Sequence, residues 1–158
     1  MDTLIGTRDK NGVMLVLTER LSRNEIKILM SDGTSESVVK ALDNLEIKYG
    51  ELFPRIFQSI TVDNGSEFAD CAAMEKSHSG DGKRTKIYYC HPWSSWERGS
   101  NENQNKMIRR HFPKGADLSE VSAEEVERAE SWLNNYPRRI FEYTTAASVF
   151  SDCLASLT

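Results

Sequence analysis

Apolar positions fall into short runs near the N-terminus and into helix-spaced sets after residue 33. Val13-Met-Leu-Val-Leu17 is apolar on both faces, the pattern of a central strand covered from two sides. Asp2–Gly6 before it and Glu25–Met30 after it are strand candidates, with turn signals at Lys10-Asn-Gly12 and Leu21–Asn24. The first three strands are therefore predicted to form an antiparallel meander. Ser31-Asp-Gly33 breaks the pattern. Val38, Leu42, Leu45 and Tyr49 then share one face of a helix beginning at Thr34 or Ser35.

Phe57–Val62 is rich in β-formers and runs into Asp63-Asn-Gly65, after which Ser66 can cap a helix starting at Glu67. Ser77–Lys86 is a polar excursion with glycines. Ile87-Tyr-Tyr-Cys90 is a fifth strand, stopped by His91-Pro92, and a helix is predicted over about 100–112, ending before Pro113-Lys-Gly115. Ser122-Ala-Glu-Glu125 is a capping box ahead of a helix with Val126, Ala129 and Leu133 on one side. Pro137 ends that helix, and a short one follows around Ala146–Leu154. Three antiparallel strands followed by helix–strand–helix–strand–helix give an α/β sheet with helices on both faces.

Composition narrows the class. The chain has 158 residues, 39% hydrophobic and 28% charged, which suits one soluble domain with a real core. No apolar run approaches the ~20 residues of a membrane span. The first residues lack the basic and long apolar segments of a signal peptide. Cys71, Cys90 and Cys153 are an odd number at unrelated spacings, which argues against a disulfide framework and for a reducing cytoplasm. They also lack the paired spacing of a zinc site. His78, His91 and His111 are scattered, as surface or packing residues are.

The formal charge of −4 is unevenly spread. Lys83, Arg84, Lys86, Arg98, Lys106, Arg109, Arg110 and Lys114 face only Glu97 and Glu102 in their stretch, while 117–130 is acidic. A basic region inside an acidic chain is a candidate phosphate-binding face.

Three acids stand out. Asp63 closes an apolar strand, where aspartate is disfavoured, although Asp-Asn-Gly is also ordinary turn chemistry. Glu102 lies in the first turn of a helix, where the dipole favours any acid. Asn101, Asn103 and Asn105 flank it, and Lys106 and Arg109 follow at i+4 and i+7 on its face. Asp2 opens the first strand, where a frayed terminus is the ordinary expectation. Brought together, the three would make an all-oxygen cluster suited to Mg²⁺ or Mn²⁺. Two such ions about 3.5–4 Å apart serve phosphoryl transfer.

Asp2-Thr-Leu-Ile-Gly6, Val16–Arg20, Thr61-Val-Asp-Asn-Gly-Ser-Glu-Phe68, Tyr89–Pro92, Ser94-Ser-Trp-Glu-Arg-Gly-Ser-Asn-Glu-Asn103, Ile108–Arg110, Phe112–Gly115 and Leu133–Arg139 occur in this order through nearly the whole chain. Together they resemble the catalytic domain of bacterial DDE transposases of the insertion-sequence-thirty family, relatives of retroviral integrases. The run through Ser94–Asn103 is the family-specific part.

The resemblance implies a ribonuclease H-like fold, with a five-stranded mixed sheet whose first three strands are antiparallel and helices on both faces. It implies one catalytic core over 1–158, without the family's N-terminal helix-turn-helix segments. Asp2, Asp63 and Glu102 match the catalytic, metal-binding acids; Glu97 does not. The Asp63-to-Glu102 spacing is longer than usual, and the polar excursion accounts for it. Thr145-Ala-Ala stands where Thr-Pro-Ala is usual, so a looser entry to the last helix is expected.

The implied function is DNA cleavage and strand transfer with two Mg²⁺ or Mn²⁺ ions during catalysis. The implied partners are transposon ends, target DNA and further copies of the chain in a homo-oligomer, in the bacterial cytoplasm, with no membrane. Arg98, Lys106, Arg109 and Arg110 are the expected DNA-phosphate contacts. Trp93 and Trp96 wedge the loop, stack on a base, or pack at the sheet edge; Glu67 supports the site from behind or merely opens a helix. Two further readings are a degenerate binding or assembly module and a ribonuclease H-like nuclease without strand joining. With Met1 placing an ammonium beside Asp2, this chain alone is expected to bind the metal weakly and to have little activity.

Overall fold

Alternate residues of the most apolar strand enter two separate cores. Val13, Leu15 and Leu17 pack on one side of it, Met14 and Val16 on the other. In the computed structural model, which describes residues 1–6, 12–80, 82–91 and 99–157 (backbone alone for 99–102), this strand is β2, Val13–Thr18. It pairs antiparallel with β1 (Asp2–Ile5) through Asp2↔Val16 and with β3 (Glu25–Met30) through Thr18↔Glu25. The meander is as the sequence predicts.

The first core gathers Met1, the β2 residues above, Ile26 and Met30 under α1 (Ser35–Tyr49), whose Val38, Ala41, Leu42 and Leu45 face inward. Thr34 caps α1, its hydroxyl accepting from the Ser37 amide. The second core lies on the opposite face, where Leu4, Met14 and Val16 meet Ile108 of α4 (Gly99–Ile108), Phe112, Leu118, and Val126 and Ala129 of α5 (Ala123–Asn134). The Ser122–Glu125 capping box of α5 is fully formed.

Four expectations are corrected. First, the strands form two sheets, not one of five: β4 (Ser59–Val62) and β5 (Lys86–Tyr89) make a separate parallel pair. The Met1 ammonium donates to the Thr61 carbonyl at 2.7 Å and joins β1 to β4, but no ladder forms between them among the described residues. Shared burial in the first core still makes one body of both sheets, since Ile60, Val62 and Ile87 enter it.

Second, a short helix, α2 (Phe53–Ile56), precedes β4 and shortens the predicted strand. Its Phe53 is fully buried and packs on Phe57 at 4.6 Å. Third, the segment after Gly65 is a 3₁₀ turn, Ser66–Phe68, and then α3 (Cys71–Glu75), capped by Asp70 instead of Ser66. Phe68 is fully buried, and its burial halts the first turn. Fourth, α4 stops at Ile108 and turns through 109–112, so that Phe112 can enter the second core.

The polar excursion is pinned to α1. Arg84 is almost fully buried and pairs with Asp43 at 2.6 Å and Glu46 at 3.3 Å. The last helix, α6 (Ala146–Ala155), is capped by Thr145, whose hydroxyl accepts from the Ser148 amide. No helix among the described residues is long and apolar enough to cross a membrane.

Candidate active site at the ends of β1 and β4

Strand alternation sets the faces. Leu4 enters the second core, so Asp2, two residues earlier, points to the same side as α4. There its Oδ2 accepts from the Asn105 side-chain amide at 2.7 Å, and its Oδ1 accepts from the Thr3 backbone N–H at 2.9 Å. Asp63 follows the last residue of β4, and its Oδ1 accepts from the Gly65 N–H at 3.0 Å. The Met1–Thr61 hydrogen bond brings the start of β1 beside the end of β4, and with them the two aspartates. The ammonium expected to repel a cation is thus engaged by a carbonyl oxygen.

Helix α4 is fixed at three points. Ile108 is fully buried, the Gln104 amide donates to the Arg23 carbonyl at 3.3 Å, and Asn105 holds Asp2. Glu102 lies one turn before Asn105 in the first part of this helix. Its side chain is outside the described residues, as are Trp93, Trp96, Glu97 and Arg98 altogether. Among the described residues no three His, Cys, Asp or Glu side chains group closely enough to hold a metal ion. Of the three expected acids, the structure describes the side chains of Asp2 and Asp63, while that of Glu102 lies outside the described residues.

These donors fit a hard divalent cation, being all oxygen. The second oxygen of the Asn105 side chain strengthens the fit. It is buried and without a partner among the described residues, and it belongs to the same amide group that holds Asp2. An unsatisfied buried acceptor is costly, and a water molecule on a hydrated ion would satisfy it.

The basic residues divide. Lys106 and Arg110 are exposed on α4 and just beyond it. The Arg109 guanidinium is committed in part to protein carbonyls, donating to Ile5 at 3.2 Å and Pro113 at 3.5 Å; burial depresses its pKa. Lys106, Arg109, Lys114, Asn105 and Leu4 line a recess of about 550 Å³. Lys114 is a member that the sequence showed only as one cation of many; its position after the Pro113 turn was the available signal. Arg84 and Lys83 leave the expected phosphate-binding face. Arg84 is buried against Asp43 and Glu46, and Lys83 pairs with Glu75.

The fold matches the catalytic core domain of BIV integrase with a TM-score of 0.67 at 14% identity, covering 99% of this chain and 94% of that one. A simian T-cell lymphotropic virus intasome in complex with PP2A regulatory subunit B56γ matches with the same score and identity over 92% of this chain and 50% of its own.

No protein-family model matches the chain. Its sequence is 32% identical to the transposase of insertion sequence element IS4351 from Bacteroides fragilis, over 98% of this chain and 44% of the relative. It is 34% identical to the IS1086 transposase from Cupriavidus metallidurans, over 99% and 44%. It is 33% identical to transposase InsI of IS30A from Escherichia coli K12, over 98% and 38%. The chain thus spans less than half the length of these curated relatives. Over the span it shares with them, the chain is similar to the insertion-sequence transposases, IS30 among them.

Proposed function

We propose that this chain is the catalytic core of a DDE transposase, performing metal-dependent DNA cleavage and strand transfer. Asp2, Asp63 and Glu102 would hold Mg²⁺ or Mn²⁺. Bound there, two ions would activate the attacking oxygen and stabilise the leaving one. The observation that carries the reading is the Asn105–Asp2 hydrogen bond, which seats the first turns of α4 at the head of β1 while Asp63 closes the neighbouring β4.

The chain's own residues bind and orient. Asn105 fixes the rotation of the Asp2 carboxylate. Lys106, Arg109, Arg110 and Lys114, with Arg98, hold backbone phosphates so that a scissile phosphate lies over the carboxylates. The substrates are transposon ends and target DNA. Joining brings two ends together, and a homo-oligomer in the cytoplasm would hold them.

A strand-transfer assay on branched DNA, with Mg²⁺ and Mn²⁺ titrated, tests the reading. Asp63→Asn and Glu102→Gln are expected to abolish cutting and joining while leaving the fold and DNA binding in place. A dead Glu97→Gln form beside an active Glu102→Gln form would overturn the triad. Cutting without joining would favour a nuclease, and DNA binding without chemistry at any ion concentration a binding module.

A further inference from the structure

Behind the two aspartates, on the other face of the sheet, lies a carboxylate that the proposed chemistry does not use. Glu67 sits in the 3₁₀ turn Ser66–Phe68, held in place by the fully buried Phe68, whose carbonyl accepts from the Tyr89 hydroxyl. Its Oε1 accepts from the Thr3 hydroxyl at 2.6 Å. Thr3 follows Asp2 in β1, so its side chain leaves the opposite face of the strand, and Glu67 is on that face too. Glu67 thus meets β1 on the face opposite Asp2. The other oxygen of Glu67 lies against the turn that carries Asp63. A Cβ added at Gly65 would meet Glu67 Oε2 at 2.5 Å and Asp63 Oδ1 at 3.0 Å. Gly65 has φ −64° and ψ 149°, which any L-residue adopts. A side chain at Gly65 would have to displace the Glu67 carboxyl, which fills that space.

We infer that Glu67 is a positioning residue: through Thr3 on one oxygen and the Asp63–Gly65 turn on the other, it braces β1 against β4 from the reverse face and so fixes the separation of Asp2 and Asp63. The inference rests on the metal-site reading above. The brace matters here because β1 and β4 share no ladder among the described residues. The Thr3 N–H holds Asp2 Oδ1, so a shift of Thr3 moves the carboxylate directly. What the brace requires is an acceptor oxygen at this point, not a charge.

Mn²⁺ binding by the chain, followed by the electron-spin-resonance signal of the free ion, is the test. Glu67→Ala and Thr3→Val are each expected to weaken binding about tenfold or more, the range usual when a group that orients a metal ligand is lost. Glu67→Gln keeps an acceptor for Thr3 and is expected to stay within about threefold of the unsubstituted chain, as is Thr3→Ser. The double variant Thr3→Val/Glu67→Ala is expected to be no weaker than the weaker single one, because both remove the same contact. Thr3→Val carries the test alone if Glu67→Ala fails to fold by circular dichroism. Unchanged binding in a folded Glu67→Ala or Thr3→Val form overturns the inference. So does a Glu67→Gln form as weak as Glu67→Ala, since charge would then be the active property. Binding that is absent from the unsubstituted chain, or unaltered by Asp63→Asn, overturns the metal-site reading itself and the inference with it.

Discussion

Asn105 and Asp2, 103 residues apart, are joined by a 2.7 Å hydrogen bond from the asparagine amide to one carboxylate oxygen. Asp2 keeps only its acceptor function when ionised, so the asparagine must present its NH₂ and turn its own oxygen away. That oxygen is buried and unpartnered among the described residues. The arrangement leaves one polar atom unsatisfied in order to orient a carboxylate.

Asn105→Ala is therefore expected to weaken Mn²⁺ binding by about 10- to 100-fold, as loss of ligand-orienting groups commonly does. Stability should change by only about 1 kcal/mol in either direction, because the lost hydrogen bond is offset by removing an unsatisfied acceptor. Asn105→Asp sets a second carboxylate against Asp2 and should lower the stability of the metal-free protein more. Titration of the ion and thermal melting of the three forms check this. An Asn105→Asp form that melts like the parent without metal would count against it.

DNA binding should separate the cations into two groups. Lys106→Ala, Arg110→Ala, Lys114→Ala and Arg98→Ala are each expected to reduce the salt slope of binding by about one and to weaken all DNA sequences alike. Lys106, Arg110 and Lys114 are exposed, so these three changes should leave stability within about 0.5 kcal/mol. Arg109→Ala should also lower the melting temperature, because it removes the hydrogen bonds to Ile5 and Pro113. Fluorescence anisotropy across a salt series, paired with melting curves, distinguishes them. Equal melting temperatures for the Arg109→Ala and Lys106→Ala forms would contradict the structural role of Arg109.

Local sequence carried the meander and α1, because Val13–Leu17 is apolar on both faces and Val38, Leu42 and Leu45 share a helical period. Asp63 was legible too, as an acid where a strand meets a glycine turn. What stayed hidden depends on contacts between distant segments. The Thr3–Glu67 pair spans 64 residues. Helix α2 has four residues, too few for a period, and exists because Phe53 fills the first core. Arg84 read as one cation of a basic region because nothing local places it against Asp43 and Glu46. The two-sheet arrangement was equally invisible, since it turns on the lack of a ladder between β1 and β4 among the described residues. Resemblance filled that gap with a five-stranded sheet, which the strand pairing here does not form.

The edge of β3 hides a charge pair that the sequence presents as ordinary alternation. Glu25 and Lys27 have side chains without solvent exposure and meet at 3.2 Å. Asn134 bonds both backbone groups of Glu25, and Glu130 accepts from the Lys27 N–H, so α5 closes this strand edge. Burial pushes the Glu25 carboxyl up and the Lys27 ammonium down, each against the pull of its partner. Lys27→Met leaves the carboxylate buried without its cation and is expected to cost about 3–5 kcal/mol, read by urea denaturation. In that variant a raised Glu25 pKa favours the protonated folded state, so the deficit should narrow as pH falls. A deficit that widens in acid would refute this account.

The start of α1 offers a second pH test with the opposite sign. Asp32 Oδ1 accepts from the Ser37 and Thr34 hydroxyls, each at 2.6 Å, and from the Thr34 N–H at 3.1 Å. These hydrogen bonds lower its pKa from 3.8 to about 2. A folded-state pKa below the unfolded one favours the ionised native form. Its contribution is therefore fully present above the unfolded pKa and is lost as pH falls through the folded value. Asp32→Ala should destabilise the protein at neutral pH, both by this linkage and by freeing the Thr34 and Ser37 hydroxyls that organise the cap. Between pH 3.8 and about 2 the linkage part should fade, so the melting difference between variant and parent should shrink across that window. Asp32→Asn isolates the charge, since its amide oxygen still accepts from the same donors. A gap between Asp32→Asn and parent that is constant from neutral pH to pH 2 would show that the hydrogen bonds, and not the ionised carboxylate, supply the stability.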